Sequence, residues 1–444
     1  MKTEKKEARR ESRKQQGFAA LLSSTRKYGA DAAFIRRRDN RTRGENTMKK
    51  IIAAAFVALL FLCAAGCALA AEPAGIAETG TGVTLIPSAQ WEKEFPDVYA
   101  SYMATKDNAE VADHVKEYPM IATVYEGNAF STYYGSARGH YYCVDDVKAT
   151  GRPHALANCF TCKTADFTFM TNRDGVSAYS IPFEDALASV NESMGCYTCH
   201  ANTPGQGNTV THMYLKDALG EDFAKVPART AVCAQCHVEY YFAKDTKATT
   251  LPYTGLTVMS PDDMYALYEA MDFADYTNPR TGVRQLKAQH PEFETYMGAG
   301  SVHASMFTCA DCHMEKATKE DGSSFQSHAL VSPLQSESIK KTCSACHADL
   351  DSFVHGIQDK MEARTIATGN KLAELADKLA DAAASGKFSE EELNAVRALN
   401  RKGQWYWDFV FVENSEGAHN SRLDNDCLDK ADALIAEALK LLEV

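Results

Sequence analysis

In the C-terminal part of the chain the apolar residues fall into helical register. Leu372, Leu375, Leu379 and Ala383 recur at three- and four-residue steps, and Gly386 stands where such a helix should stop. Ser389 followed by Glu392 has the spacing of a capping box and predicts a second helix through Leu393, Val396, Leu399 and Trp405. A third runs through Leu428, Ala431, Leu434, Ile435, Ala438 and Leu441. Long amphipathic helices are therefore expected over about 360–444. From Glu72 to His355 no period persists. Asp262–Tyr268 and Glu292–Met297 read as short helices, and the rest is broken by Gly, Pro and Asn turns. Something other than a layer of side chains must fill the middle.

The N-terminal region has a different pattern. Residues 1–47 are polar and basic without a sustained apolar period, which predicts disorder. Met48-Lys49-Lys50 then opens an almost wholly apolar run, Ile51 to Ala71, with Ala68-Leu69-Ala70 as a small-residue exit. A positive start, an apolar centre and that exit predict a Sec-type signal peptide over 48–71 and a periplasmic mature chain. The run is near the ~20 residues that span a bilayer, but its second half is mostly Ala, Gly and Cys, which favours cleavage. Ala64-Ala65-Gly66-Cys67 is a weaker lipoprotein box that would put a lipid anchor on Cys67. With Met48 as the true start, residues 1–47 are an extension from a start assigned too early.

Charge follows the same division. Lys+Arg number 47 and Asp+Glu 59, for a net −12. Residues 1–50 carry +10 of charge, so −12 less +10 leaves −22 on the remainder. An acidic body excludes nucleic acid as partner, because phosphate needs clustered Lys and Arg.

Fourteen cysteines in an exported chain would suggest a disulfide scaffold, but ten of them form five Cys-x-x-Cys pairs. Four pairs run directly into histidine: Cys196/Cys199/His200, Cys233/Cys236/His237, Cys309/Cys312/His313 and Cys343/Cys346/His347. Zinc ribbons do not require that histidine, whereas attachment of c-type haem does. At the fifth, Cys159/Cys162, the ligand position holds Lys163. A lysine amine binds iron only when deprotonated, against an unperturbed pKa near ~10.4. Four ordinary sites and one costly odd one place the chemistry at the odd one. Nine histidines remain as candidate second ligands, and spacing alone does not choose among them. Of the other four, Cys63 and Cys67 belong to the signal segment and Cys143 and Cys427 to the exported part; a disulfide between the last two is open, with two buried thiols the favoured reading.

The order of these motifs, lysine first and then four histidines, resembles the periplasmic ammonia-forming pentahaem cytochrome c nitrite reductases. Arg138-Gly139-His140, the run Cys233 to Tyr241, Lys287 to Pro291 and Gly417 to Asn420 match that family's intervening segments. The resemblance covers roughly residues 90–425. It implies a mainly α, haem-packed multihaem cytochrome c fold over 72–444, with five covalent haems c. It also implies distal ligands His140 (third motif), His303 (fifth), His328 (second) and His419 (fourth). The first haem would then be open opposite Lys163, with Arg138, Tyr240 and His290 around nitrite. Arg138 would supply fixed charge, His290 protons and Tyr240 a phenol. Glu239, Tyr240, Lys287 and Gln289 would hold one Ca²⁺ through oxygen ligands. Further implications are a homodimer formed through the long helices and a membrane-bound multihaem quinol-oxidising cytochrome as electron donor. A dedicated haem lyase would serve the Cys-x-x-Cys-Lys site. The competing readings are an electron-transfer cytochrome in which Lys163 only tunes a potential, and a reductase of hydroxylamine, tetrathionate or sulfite.

Overall fold

The computed structural model describes residues 72–128, 138–150 and 156–443. The basic extension, the signal segment and His154 lie outside the described residues. The described chain is mainly helical, and its strands form four two-stranded pairs, one of them the parallel pair of Gly75–Ile76 with Thr209–Val210. Short helices carry the middle of the chain: α1 (Cys143–Ala149), α2 (Ala165–Asp174), α3 (Cys196–His200), α4 (Ala228–Ala234), α5 (Pro261–Ala270), α6 (Glu292–Met297), α7 (Cys309–His313) and α8 (Glu337–Cys343). Three long helices follow, α9 (Leu350–Ser385), α10 (Glu390–Phe411) and α11 (Ser421–Leu441), all packed on one another.

The expected caps are present. Ser389 and Glu392 form the reciprocal capping box of α10, and Gly386 ends α9 in the left-handed conformation (φ 67°, ψ 10°) that glycine adopts without steric cost. Leu372, Leu375 and Leu379 are buried, as are Leu428, Ala431, Ile435 and Ala438. Leu441 is exposed, so the stripe of α11 stops one turn early. Helix α9 starts before the expected residue 360. Asp349 caps it by accepting from the Ser352 N–H, but its first buried side chain is Met361, and Phe353 is exposed. Those opening turns carry no apolar stripe for periodicity to reveal.

Helix α10 is the centre of the larger core. Trp405, Tyr406, Trp407, Phe409 and Val410 are all buried, so the helix is covered on nearly every side. Each such large side chain contributes about 1.5–3 kcal/mol on burial. The indole N–H groups are satisfied as well: Trp405 donates to Pro261 O at 2.9 Å and Trp407 to Thr365 O at 2.8 Å. Gly369 lets α9 cross there, since a Cβ would stand 2.9 Å from the Trp407 ring. A smaller core of Phe160, Phe167, Phe183 and Val147 lies under the first Cys-x-x-Cys pair, with Phe160 and Phe183 stacked at 4.3 Å.

Candidate active site

Helical geometry explains the motifs. On one turn, thiols three residues apart share a face, and the fifth residue of the motif falls just beyond the second thiol. The second and fourth motifs form α3 and α7 outright. In the third and fifth, the N–H of His237 bonds Cys233 O and that of His347 bonds Cys343 O, each at 2.9 Å. The first motif turns more tightly. The Lys163 N–H bonds Phe160 O at 2.9 Å, three residues back, and His212 Nε2 lies 2.8 Å from Thr161 O and holds the turn from outside. His212 is thus a buried structural histidine.

The motifs do not all lie at the same depth. Nine of the ten motif thiols are half-buried, as expected for attachment inside a haem-packed core, but Cys346 is exposed. The fifth motif thus sits at the periphery. Helix α8 leads into it with Ile339 as its one buried residue, and the neighbours Ser344, Ala345 and Ala348 are exposed too. The Cys343/Cys346 pair keeps the attachment spacing, so a haem there would be held at the surface with protein on fewer sides.

Each motif histidine faces a second histidine from a distant part of the chain. Ring centroids are 6.2 Å apart for His200 and His328, and 6.3 Å for His237 and His140. They are 6.1 Å apart for His313 and His419 and also for His347 and His303. Two metal–nitrogen bonds of about 2 Å, plus about 1 Å from each nitrogen to its ring centre, put two axial imidazoles about 6 Å apart. The four pairs fit an iron between them, and they are the four pairs expected. His290 also lies 6.3 Å from His237, but it lines the cavity described next. The thiols place the motifs relative to one another: Cys162 lies beside Cys236, and Cys309 beside Cys233. The third motif therefore adjoins both the first and the fourth.

Lys163 faces a cavity of about 190 Å³ whose lining includes Cys159, Tyr240, Asp275, Lys287, Gln289 and His290. The lysine, the phenol, the histidine and most of the expected calcium residues are thus brought to one place. Burial pushes His290 down to about 4, so its ring is neutral at pH 7, and its buried Nδ1 has no hydrogen-bond partner. Arg138 is not part of that lining. Its guanidinium bonds Asp146 Oδ1 at 2.9 and 2.5 Å and lies 4.0 Å from the Tyr142 ring centre. It braces the turn that carries His140. Gly139 lets that turn close, since a Cβ there would collide with Thr105 O. Cys143 and Cys427 are free thiols, the second fully buried.

Glu239 is fully buried. It accepts from Tyr268 Oη at 2.9 Å and from the Gln289 N–H at 2.6 Å. The Gln289 amide reaches Lys287 O at 3.0 Å, so the expected carboxylate, amide and carbonyl gather on one side of the cavity. Burial raises Glu239 well above the carboxylate range, Asp275 to about 7 and Glu294 to about 8. One oxygen of Glu294 is buried with no partner. Glu239 and Glu294 are buried and Asp275 stands on the open side of the cavity wall; carboxylate and carbonyl oxygens of this kind are what a hard divalent cation takes. Asp275, Glu294 and Asp408 were missed by sequence reasoning. The signal available for Asp408 was a lone acid inside the apolar run Trp405 to Val410.

The fold and the motifs define a multihaem c-type cytochrome with long C-terminal helices. The cytochrome c552 family profile matches residues 87–444, and the chain belongs to that family. It is 31% identical over 359 residues to the cytochrome c-552 of Aliarcobacter butzleri, covering 74% of this chain and 71% of that one. Its structure is similar to the cytochrome c nitrite reductase of Desulfovibrio desulfuricans, a catalytic subunit with two calcium sites. The TM-score is 0.71 at 28% identity, over 83% of this chain and 87% of that one.

Proposed function

We propose that the protein is a periplasmic nitrite reductase that forms ammonium: NO₂⁻ + 8 H⁺ + 6 e⁻ → NH₄⁺ + 2 H₂O. One observation carries the reading. Four motif histidines each have a partner histidine one iron's width away, while the lysine motif opens on a cavity with Tyr240 and His290. The similarity to the Desulfovibrio enzyme supports it. Haem at each motif would supply redox-active iron, with four paired sites for electron storage and one for substrate.

The chain's own groups have distinct parts. Lys163 offers an amine, a σ donor, where the other motifs offer imidazole. Neutral His290 donates N–H to a nitrite oxygen, and the arriving anion raises its affinity for the protons it must deliver. Tyr240 adds a second donor, and calcium held by Glu239, Gln289 and the Tyr240 and Lys287 carbonyls would add positive potential at the entrance. Arg138 holds the His140 turn; a direct part in anion binding would require it to leave Asp146. The family resemblance extends the proposal to a homodimer, a membrane-bound quinol-oxidising donor and a dedicated lyase for the lysine motif.

The test is a pair of variants. Lys163→Leu and His290→Asn should each keep five attached haems and lose most nitrite turnover. Wild-type turnover in both would move the active site elsewhere.

A further inference from the structure

The turn between α10 and α11 delivers His419 together with a carboxylate. Glu413 is 3% exposed, and its Oε1 lies 2.5 Å from His419 Nδ1. Its other oxygen accepts from Ser415 Oγ at 2.6 Å and from the Ser415 N–H at 3.2 Å, so the carboxylate is held in place. The other hydrogen-bonded motif-pair histidines make different bonds. His200 Nδ1 meets Gly207 O at 2.7 Å, His328 Nδ1 meets Gln326 O at 3.0 Å, and His313 Nδ1 meets Val331 O at 3.2 Å. Those three acceptors are neutral backbone carbonyls. In the third pair, Glu292 Oε1 is 3.6 Å from His237 Nδ1, outside hydrogen-bond range.

We propose that Glu413 is a redox-tuning residue, which through His419 sets the haem of the fourth motif at a lower reduction potential than the haem of the second. The inference rests on the ligand pairs read above. A full negative charge on the Nδ1–H draws that proton away from the ring. The other nitrogen becomes a stronger donor to iron, which favours the ferric over the ferrous state. At the second motif both rings donate to neutral carbonyls, so neither gains that charge. The sequence gives no hint of the difference, because Glu413 and His419 are joined by the way the turn folds back.

Removing such an outer partner typically changes a metal site's equilibrium by about 10–100-fold. A tenfold change in a one-electron couple is about 59 mV. Spectroelectrochemical titration of the five-haem protein should therefore show one low-spin haem in Glu413→Gln shifted upward by at least about 59 mV, and the others in place. Ser415→Ala removes a donor that offsets the carboxylate charge, so the same haem should move downward. His419→Ala identifies that haem by turning it high-spin. If His419→Ala does so while Glu413→Gln and Ser415→Ala leave every midpoint unchanged, the tuning is overturned and the ligand assignment stands. If His419→Ala leaves all four paired haems low-spin, the ligand assignment fails and the tuning with it.

Discussion

Asp408 joins the C-terminal helices to the loop that carries Gln289 and His290, and replacing it should damage both stability and site. It is fully buried on α10 and accepts from Lys287 Nζ at 2.8 Å, from the Ala288 N–H at 2.9 Å and from the Tyr125 hydroxyl. The Lys287 side chain is only 8% exposed. Asp408→Ala therefore strands a buried ammonium and two buried donors. Breaking a buried ion pair from one side costs about 3–5 kcal/mol. With an unfolding entropy of about 2.1 cal/mol/K per residue over roughly 370 residues, that lowers the melting temperature by about 4–6 °C. Calorimetry on the haem-loaded protein reads the shift. The double variant Asp408→Leu/Lys287→Met should recover most of it, because apolar replacement of both partners is often neutral or better. Calcium affinity and nitrite turnover should remain impaired in both variants, since the Ala288 N–H loses its anchor. A single variant melting within about 1 °C of the parent would refute this account of the network.

Two further outcomes are expected. Metal analysis should find calcium bound near Tyr240, and Glu239→Ala should lower calcium content and turnover without loss of haem; active protein free of calcium would count against that oxygen set. N-terminal sequencing of protein purified from its native host should begin near Ala71 or Glu72, and recovery of residues 1–47 on haem-loaded protein would sink the export reading.

The parts of the fold that were legible in the sequence are those with local causes. Capping at Ser389, the stop at Gly386 and the stripes of α9 to α11 are set by neighbours within a few residues. The start of α9 was not legible, because Leu350 to Lys360 bury little, and helix there is held by the Asp349 cap and continuity with the packed turns. The Cys-x-x-Cys sites were legible because covalent attachment fixes their spacing. Spacing says nothing of depth, so the exposed position of Cys346 could not be read from its motif. The partner histidines were not legible either, since a haem between two rings would leave their sequence distance unconstrained; family resemblance implied those four. Resemblance also placed Arg138 at the substrate, where the structure instead pairs it with Asp146. Asp408 and Glu413 escaped because a buried acid reads as an ordinary surface charge until its donors are seen.

Electron and product counting during anaerobic turnover with a chemically reduced dye tests the central claim most directly. Nitrite should disappear with one ammonium formed and six electrons consumed per nitrite, and Lys163→Leu should abolish that turnover with its haems intact. Failure to consume nitrite, or release of nitric oxide at one electron per nitrite, would contradict the account.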